Sequence, residues 1–509
     1  MKISDLLSPE DMVFLSGTGD TEISSIVYHS DKAVKGSLFF AIEGQFQSGA
    51  DHIEEAADAG AAGAVTGKEP DPDVLKKLRD MDFTLVKVED PRLAMAKAGE
   101  KFYGDPSQRM LIIGVTGTKG KTTVTFMIRQ ILENAGIKTG ITGTVINGYE
   151  GHLRRSSATT PQAPDLSAML AEMAENGCSA AVTEVSSQGL MHGRTEAIDM
   201  DIGVFMNISP DHIGEGEHRD FSDYLYWKST LFRKCRRGIL NADDPYTGYI
   251  VENSRLEKTV FFGESEEADF RAEDINFLMK DGKLYTEFTL RSRPPCGDGE
   301  KRKIKLNMPG RFNVQNALAA AAVTRSLGIP WSVIEDSLRH VYVPGRTEIT
   351  DAGGEFTVMT DYAHNGAALR NLLTGLREYS PERIILVFGC GGNRDKSRRT
   401  EMGRAAAENG DVIIITSDNP RREDPRVIAE EIYASVISAV KEDPEGTRAK
   451  KTEVIPDRRQ AIRRALNEGR KGDLIVIAGK GHETCQITGD EVVHFDDREE
   501  ITAWRKDAK

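Results

Sequence analysis

The stretch "LIIGVTGTKGKTTV", residues 111–124, decides the fold. An apolar run ends in glycine-rich turn residues, and Lys121, Thr122 and the helix-like "VTFMIRQILENAG" follow. Strand, loop and helix in that order build a phosphate-binding loop. The standard spacing G-x-x-x-x-G-K-[ST] needs glycine at 115, whereas this chain has Val115, with glycines at 114, 117 and 120. The physics tolerates the altered spacing: glycines let backbone N–H groups approach an anion, and the helix N-terminus adds its dipole. Lys121 supplies a point charge for β/γ-phosphates and Thr122 a hydroxyl for Mg²⁺. A merely solvated lysine is disfavoured here, because a cation at a helix N-terminus opposes the dipole.

Composition bounds the ligand chemistry. The 509 residues carry 66 Lys+Arg against 80 Asp+Glu, a formal charge of −14. That balance argues against a broad cationic surface for nucleic acid or anionic lipid, so an anionic ligand must be held locally. Five scattered cysteines, odd in number and without a C-x-x-C pair, suit a reducing cytosol and give no zinc signature. The N-terminal "MKISDLLSPEDMVFLSG" has charges through its only apolar stretch, which predicts no signal peptide. No run reaches the ~18 apolar residues of a membrane span. The expectation is a soluble cytoplasmic protein, taken as a monomer.

Working outward from the loop, the chain reads as three α/β domains. Residues 1–107 alternate short β-like runs ("GSLFFAI", "GAAGAV", "FTLVKVE") with the helix-like "DHIEEAADAGAA". "YGDPSQRM" (103–110) supplies turn chemistry at the first boundary. Residues 108–342 repeat strand, loop and helix through "LIIGVTG", "AAVTEVSS", "IGVFMNIS" and "RGILNADD", which predicts a parallel sheet flanked by helices. Near 255–305, "KTVFFG", "DFRAEDINF" and "GKLYTEFTL" read as added hairpins, and "PGRFNVQNALAAAAVTRSLG" as a long helix capped by Gly328. After the breaker Pro344-Gly345, residues 343–509 form a Rossmann-like α/β domain through "FTVMTDYAH", "RIILVFGCGG", "DVIIITSDNP" and "DLIVIAGKGH". Each of these strands ends in polar residues and glycine, where open α/β sheets bind ligands.

Ten ordered motifs resemble the Mur ligases: "GVTGTKGKTT", "TEVSSQGL", "NISPDHIG", "YWKSTLF", "PGRFNVQNALAAAA", "VPGRTEI", "DYAH", "GCGGNRDKSRR", "SDNPRREDP" and "AGKGHE". These are ATP-dependent amide-forming enzymes of peptidoglycan synthesis. The resemblance is greatest to the members that add the third peptide residue to UDP-N-acetylmuramoyl-L-alanyl-D-glutamate. It implies an N-terminal UDP-substrate domain, a central ATP domain, a C-terminal amino-acid domain, and an acyl phosphate made from ATP. The γ-phosphate must then meet a carboxylate, and metal ions and cations offset that repulsion.

Residue roles follow from the resemblance. Gly117, Thr118, Lys119, Gly120, Lys121, Thr122 and Thr123 would hold ATP, with Asn313, Arg346 and Asp361; Asn316 and His364 belong to the same motifs. Thr122 and Glu184 would serve one Mg²⁺, and His212 a second. Lys228 matches a lysine that the family carbamylates, giving a carboxylate-like group beside the metals. Ser30, Thr159, Thr160, Ser186 and Arg194 match positions that hold the UDP-muramoyl-dipeptide. Arg394, Asp418, Asn419, Arg421, Gly479 and Glu483 match the site of the incoming amino acid. "SDNPR" is similar to the diaminopimelate-type motif, in which an arginine can bind a planar carboxylate with two parallel hydrogen bonds.

Read without the resemblance, Glu184 could be a structural ion pair, Lys228 a surface lysine, and "NPRREDP" an exposed charged turn. The N-terminal region departs from the family: "HSDKAVKGSLFF" retains only Ser30 of the usual Asp-Ser-Arg triplet, Gln188 replaces histidine, and His192 replaces glutamine. The expected reaction adds meso-diaminopimelate. The alternatives are L-lysine in the same reaction, a related ligase acting on another carboxylate, and a nucleotide-binding switch without catalysis.

Overall fold

The computed structural model describes residues 1–44, 47–214, 216–280 and 282–507. The chain forms two compact units, one of Met1–Asp269 with Ala319–Ile329 and one of Phe270–Leu318 with the residues from Pro330 onward.

The first unit holds two sheets. Strands β1 (Met12–Ser16), β2 (Ser25–Val27), β3 (Ser37–Ala41), β4 (Gly63–Thr66) and β5 (Thr84–Val88) lie in the order β1-β5-β4-β3-β2, parallel except for β1. Alternation in β3 feeds two cores. Leu38 and Phe40 pack with Ile3, Leu6 and Val65 on one face, and Phe39 and Ala41 with Ile53, Ala64 and Leu85 on the other. Burial on both faces explains why this strand reads as an unbroken apolar run.

The second sheet comprises β6 (Leu111–Thr116), β7 (Thr139–Thr142), β8 (Ile146–Tyr149), β9 (His152–Arg155), β10 (Ala180–Glu184), β11 (Met200–Phe205), β12 (Cys235–Asn241) and β13 (Lys258–Gly263). Their order is β13-β12-β11-β6-β10-β7-β8-β9. The loop-feeding strand β6 is central, parallel to β10 and β11, with Gly114 opposite Thr183 and Gly203. Residues 258–263 are not a hairpin arm as expected. β13 runs parallel to β12, because the helix Thr247–Glu252 carries the chain back across the sheet. The β7–β9 extension went unread in the sequence; "INGYEGHLRR" is short, polar and exposed along β9.

In the second unit, β14 (Phe270–Lys280), β15 (Lys283–Ser292) and β16 (Lys301–Leu306) form an antiparallel meander. The helix Arg311–Ser326 follows, its residues from Ala319 counted with the first unit, with Gly328 beyond its end at φ 84°. Strands β17 (Glu348–Thr350), β18 (Thr357–Asp361), β19 (Ile384–Phe388), β20 (Val412–Ile415), β21 (Lys451–Val454) and β22 (Leu474–Ala478) make a sheet ordered β17-β18-β22-β19-β20-β21, parallel except for β17. Leu386, Phe388, Ile413 and Ile415 face helices Gly366–Arg377, Ser397–Asn409 and Pro425–Glu442. Ile385, Val387, Val412 and Ile414 face Arg458–Glu468 and Asp497–Asp507. A hairpin of β23 (Cys485–Thr488) and β24 (Glu491–His494) completes the unit. Among the described residues no helix is long and apolar enough to cross a membrane.

Candidate active site

At the end of β6 the chain passes through residues 117–120 and directly into the helix Lys121–Asn134, whose N-cap is Gly120 at φ 90°. A side chain would be strained at that dihedral. Lys121 Nζ curls back to donate to the Gly117 carbonyl at 2.7 Å and the Thr118 carbonyl at 3.3 Å. Lys119 N–H donates to Asn207 Oδ1 at 2.9 Å, and the Lys119 ammonium pairs with Asp211 at 3.1 Å. Thr123 is buried in the first helical turn.

Thr122 Oγ1 donates to Glu184 Oε2 at 3.0 Å. Glu184 ends β10, is 1% exposed, and also accepts from the Thr144 N–H at 2.8 Å and the Thr144 hydroxyl at 2.9 Å. Among the described residues its hydrogen-bond donors are all neutral. A buried charge is ordinarily paired or bound to metal, and hydroxyl with carboxylate is the hard oxygen set that Mg²⁺ takes. Thr122 and Glu184 therefore fit one Mg²⁺.

Lys228 lies on the helix Phe221–Thr230 and is 1% exposed, its nitrogen 4.7 Å from the centre of the Tyr224 ring. Burial, reinforced by Lys121 and Lys119 against the opposing pull of Asp211, holds this amine well below the ordinary lysine range. His212 sits at φ 55° on a half-exposed loop, Nδ1 3.1 Å from Glu217 and its ring 6.4 Å from that of Tyr224. The Tyr224 hydroxyl is 3.0 Å from Thr118 Oγ1. Tyr224 thus joins Thr118, His212 and Lys228, although His212 and Lys228 share no hydrogen bond with the Thr122–Glu184 pair. Sequence reasoning missed Tyr224; its i,i+4 spacing to Lys228 on one helix face was the available signal.

The residues assigned to the muramoyl-dipeptide adjoin the same carboxylate. Thr160 Oγ1 donates to the Glu184 carbonyl at 3.0 Å and accepts from Ser186 N–H at 3.0 Å. Ser186 caps the helix Ser187–Met191, Arg194 donates to the Thr160 carbonyl at 2.8 Å, and Thr159 lies 3.1 Å from the Thr144 hydroxyl. Ser30 stands apart, in the turn Ser30–Lys32 after β2. Arg194 Nε is buried without a hydrogen-bond partner among the described residues. Burial and then Arg92 lower the Arg194 pKa, and burial with both arginines pushes His192 down to about 4. A desolvated cationic recess with an unspent donor suits an anionic group.

In the second unit most of the assigned residues lie at or after the carboxyl ends of β18, β19, β20 and β22; Asn313 and Arg346 do not. Asp361, ending β18, accepts from Thr347 N–H at 2.7 Å and Ala363 N–H at 2.9 Å. Burial raises its pKa, with Arg346 opposing. Arg346 stacks 4.6 Å from the Tyr362 ring centre and leaves a buried Nε without a hydrogen-bond partner among the described residues. Asn313 donates to the Pro309 carbonyl at 2.7 Å and accepts from Asn316 at 2.9 Å, so both asparagines have structural bonds at the helix start. His364 Nδ1 lies 2.8 Å from the Tyr362 carbonyl.

Arg421, at φ 53°, donates to the Gly392 carbonyl at 2.9 Å. A Cβ on Gly391 would lie 2.9 Å from Arg421 Nη1 and 3.9 Å from Arg394 Cγ, so both arginines flank that glycine. Asn419 donates to Glu483 at 2.8 Å. Asp418 Oδ2 is buried without a hydrogen-bond partner among the described residues, 2.4 Å from where Gly479 would carry a Cβ.

Residues 115–324 match the Mur ligase middle domain and residues 345–481 the Mur ligase glutamate ligase domain. The chain belongs to the Mur ligase family and is an ATP-dependent, amide-forming ligase. A UDP-N-acetylmuramoyl-L-alanyl-D-glutamate--2,6-diaminopimelate ligase from Caldanaerobacter subterraneus subsp. tengcongensis is 39% identical over 490 residues, 95% of each chain. UDP-N-acetylmuramoyl-L-alanyl-D-glutamate--2,6-diaminopimelate ligase 1 of Clostridium acetobutylicum is 36% identical over 510 residues, 100% of both chains. A solved structure of a ligase of that name matches with a TM-score of 0.70 at 27% identity, over 100% of this chain and 99% of the other.

Proposed function

We propose that this ligase joins meso-diaminopimelate to UDP-N-acetylmuramoyl-L-alanyl-D-glutamate in cytoplasmic peptidoglycan synthesis, as a monomer. Residues 1–107 and the Thr159, Thr160, Ser186 and Arg194 network bind the UDP-substrate, residues 108–342 handle ATP, and residues 343–509 receive the amino acid. The observation that carries the ligase reading is Glu184, a buried carboxylate bonded to the hydroxyl that follows the phosphate-loop lysine. Full-length likeness to the diaminopimelate ligases, and Arg421 beside Arg394, support the choice of amino acid.

The D-glutamyl carboxylate oxygen attacks the γ-phosphorus, and ADP leaves. The diaminopimelate amine then attacks the acyl carbon, phosphate leaves, and the nitrogen gives up a proton. Lys121 offsets the charge where the two anions meet. Thr122 and Glu184 would hold one Mg²⁺, with His212 and carbamylated Lys228 at a second; such ions neutralise phosphate charge. Lys228 suits the modification, because burial favours its neutral amine, the form that adds CO₂, and the product anion faces Lys119 and Lys121. Arg421 and Arg394 bind the distal carboxylate that L-lysine lacks, and a site left with unpaired donors rejects such an analogue by about 10⁴-fold.

Incubation with ATP, Mg²⁺, UDP-muramoyl-dipeptide and either meso-diaminopimelate or L-lysine, with products weighed by mass spectrometry, tests this reading. The diaminopimelate tripeptide is the expected product. Equal turnover of lysine removes the specificity claim, and no turnover without a different carboxylate acceptor removes the substrate claim.

A further inference from the structure

Lys480 is 0% exposed, a place lysine almost never occupies unless its charge is paired. It follows β22 in the "GKG" of residues 479–481. Its ammonium has three protons and meets three protein acceptors: the Cys485 carbonyl at 2.6 Å, Asn419 Oδ1 at 3.0 Å and Glu483 Oε2 at 3.4 Å. None is left over for a ligand. Asn419 Oδ1 also accepts from the Ile487 N–H at 3.0 Å. Two donors converging on one end of an amide require that end to be oxygen. The nitrogen must then face the other way, where it donates to Glu483 Oε2 at 2.8 Å. Among the described residues, one N–H of Asn419 and one oxygen of Glu483 remain to be used.

We propose that Lys480 is a positioning residue for the incoming amino acid. By fixing the Asn419 amide with its nitrogen outward and holding Oε2 of Glu483, it presents a donor for a substrate carboxylate beside an acceptor for a substrate ammonium. Asp418 Oδ2, buried next to Gly479 without a partner among the described residues, points independently to a cationic group at the same place. An uncharged side chain at 480 leaves the Asn419 amide free to rotate and the Glu483 carboxylate free to move. This inference rests on reading residues 418–421 and 479–483 as the amino-acid site.

Phosphate release by the full chain, with each substrate varied against saturating levels of the other two, tests it. Lys480→Met is expected to raise the KM for meso-diaminopimelate at least about tenfold, the effect of losing one charge-assisted hydrogen bond. The KM values for ATP and UDP-muramoyl-dipeptide are expected to stay within about twofold, a selectivity that a general loss of structure does not give. Asn419→Leu is expected to raise the same KM, and the double variant to add little, because both substitutions disable one device. An unchanged diaminopimelate KM, a rise shared by all three substrates, or additive effects overturn the proposal. If the methionine variant does not fold, Lys480→Gln is held to the same selectivity and the same overturning outcomes. Wild-type enzyme that turns over a different amino acid fails the substrate reading alone, and the comparison of KM values is then made with that amino acid.

Discussion

Lys228 shows what a residue's type leaves undecided. On an amphipathic helix a lysine reads as a solvated residue, yet this one is 1% exposed and sits over Tyr224 beside two other lysines. Burial and the two lysines oppose a cation there more than Asp211 and the Tyr224 ring favour it, whereas the proposed carbamate would be attracted by those lysines. Lys228→Ala should be nearly inactive with its fold retained. A short carboxylic acid, supplied in excess, should restore part of the activity by filling the vacated anion position. Circular dichroism and phosphate release check both statements; a fully active Lys228→Ala, or one that no carboxylate improves, refutes the carbamate. The motifs brought the sequence reading to Lys121, Thr122, Glu184 and Lys228. They did not bring it to Thr144 or Tyr224. Thr144 touches Glu184 from 40 residues away in the chain, and a lone threonine or tyrosine carries no pattern of its own.

At the scale of elements, the loop with altered spacing owes its shape to the turn into the helix. Val115 is buried inside β6 and needs no glycine's freedom, whereas Gly120 at φ 90° does. Gly120→Ala forces an L side chain into the left-handed region at a cost of about 1–2 kcal/mol. A small drop in melting temperature is expected, with a much larger rise in the KM for ATP, since the N–H groups and Lys121 are re-aimed. An unaltered ATP KM would contradict the loop's role. Strand runs such as "RIILVFG" and "DLIVIAG" were legible because parallel strands buried on both faces are continuously apolar. The parallel pairing of β13 was not legible. A six-residue apolar run has the same appearance in a hairpin and in a crossover, and only the intervening helix distinguishes them.

At the scale of the whole molecule, each unit contains a largely parallel sheet with proposed site residues at the carboxyl ends of its strands. In the second unit Arg458 and Asp497, both 0% exposed in their side chains, pair at 2.8 Å and 2.7 Å. Arg458 also donates to the carbonyls of Ala478 at 3.1 Å and Ser417 at 3.4 Å, tying together the chain after β22 and after β20. Asp497→Leu strands that guanidinium and should cost about 3–5 kcal/mol, the usual penalty for breaking a buried pair. Denaturant unfolding measures it; a loss under about 1 kcal/mol would show that the pair is not needed. By itself the sequence determined the α/β class, the phosphate loop and the order of motifs, because these are written in local periodicity and in residues adjacent along the chain. Only the tertiary structure decided that Glu184 lacks a cation partner among the described residues, that Lys228 is buried, and that Lys480 orients Asn419 from 61 positions away. Burial and hydrogen-bond geometry are set by segments distant in the chain, and no local pattern records them.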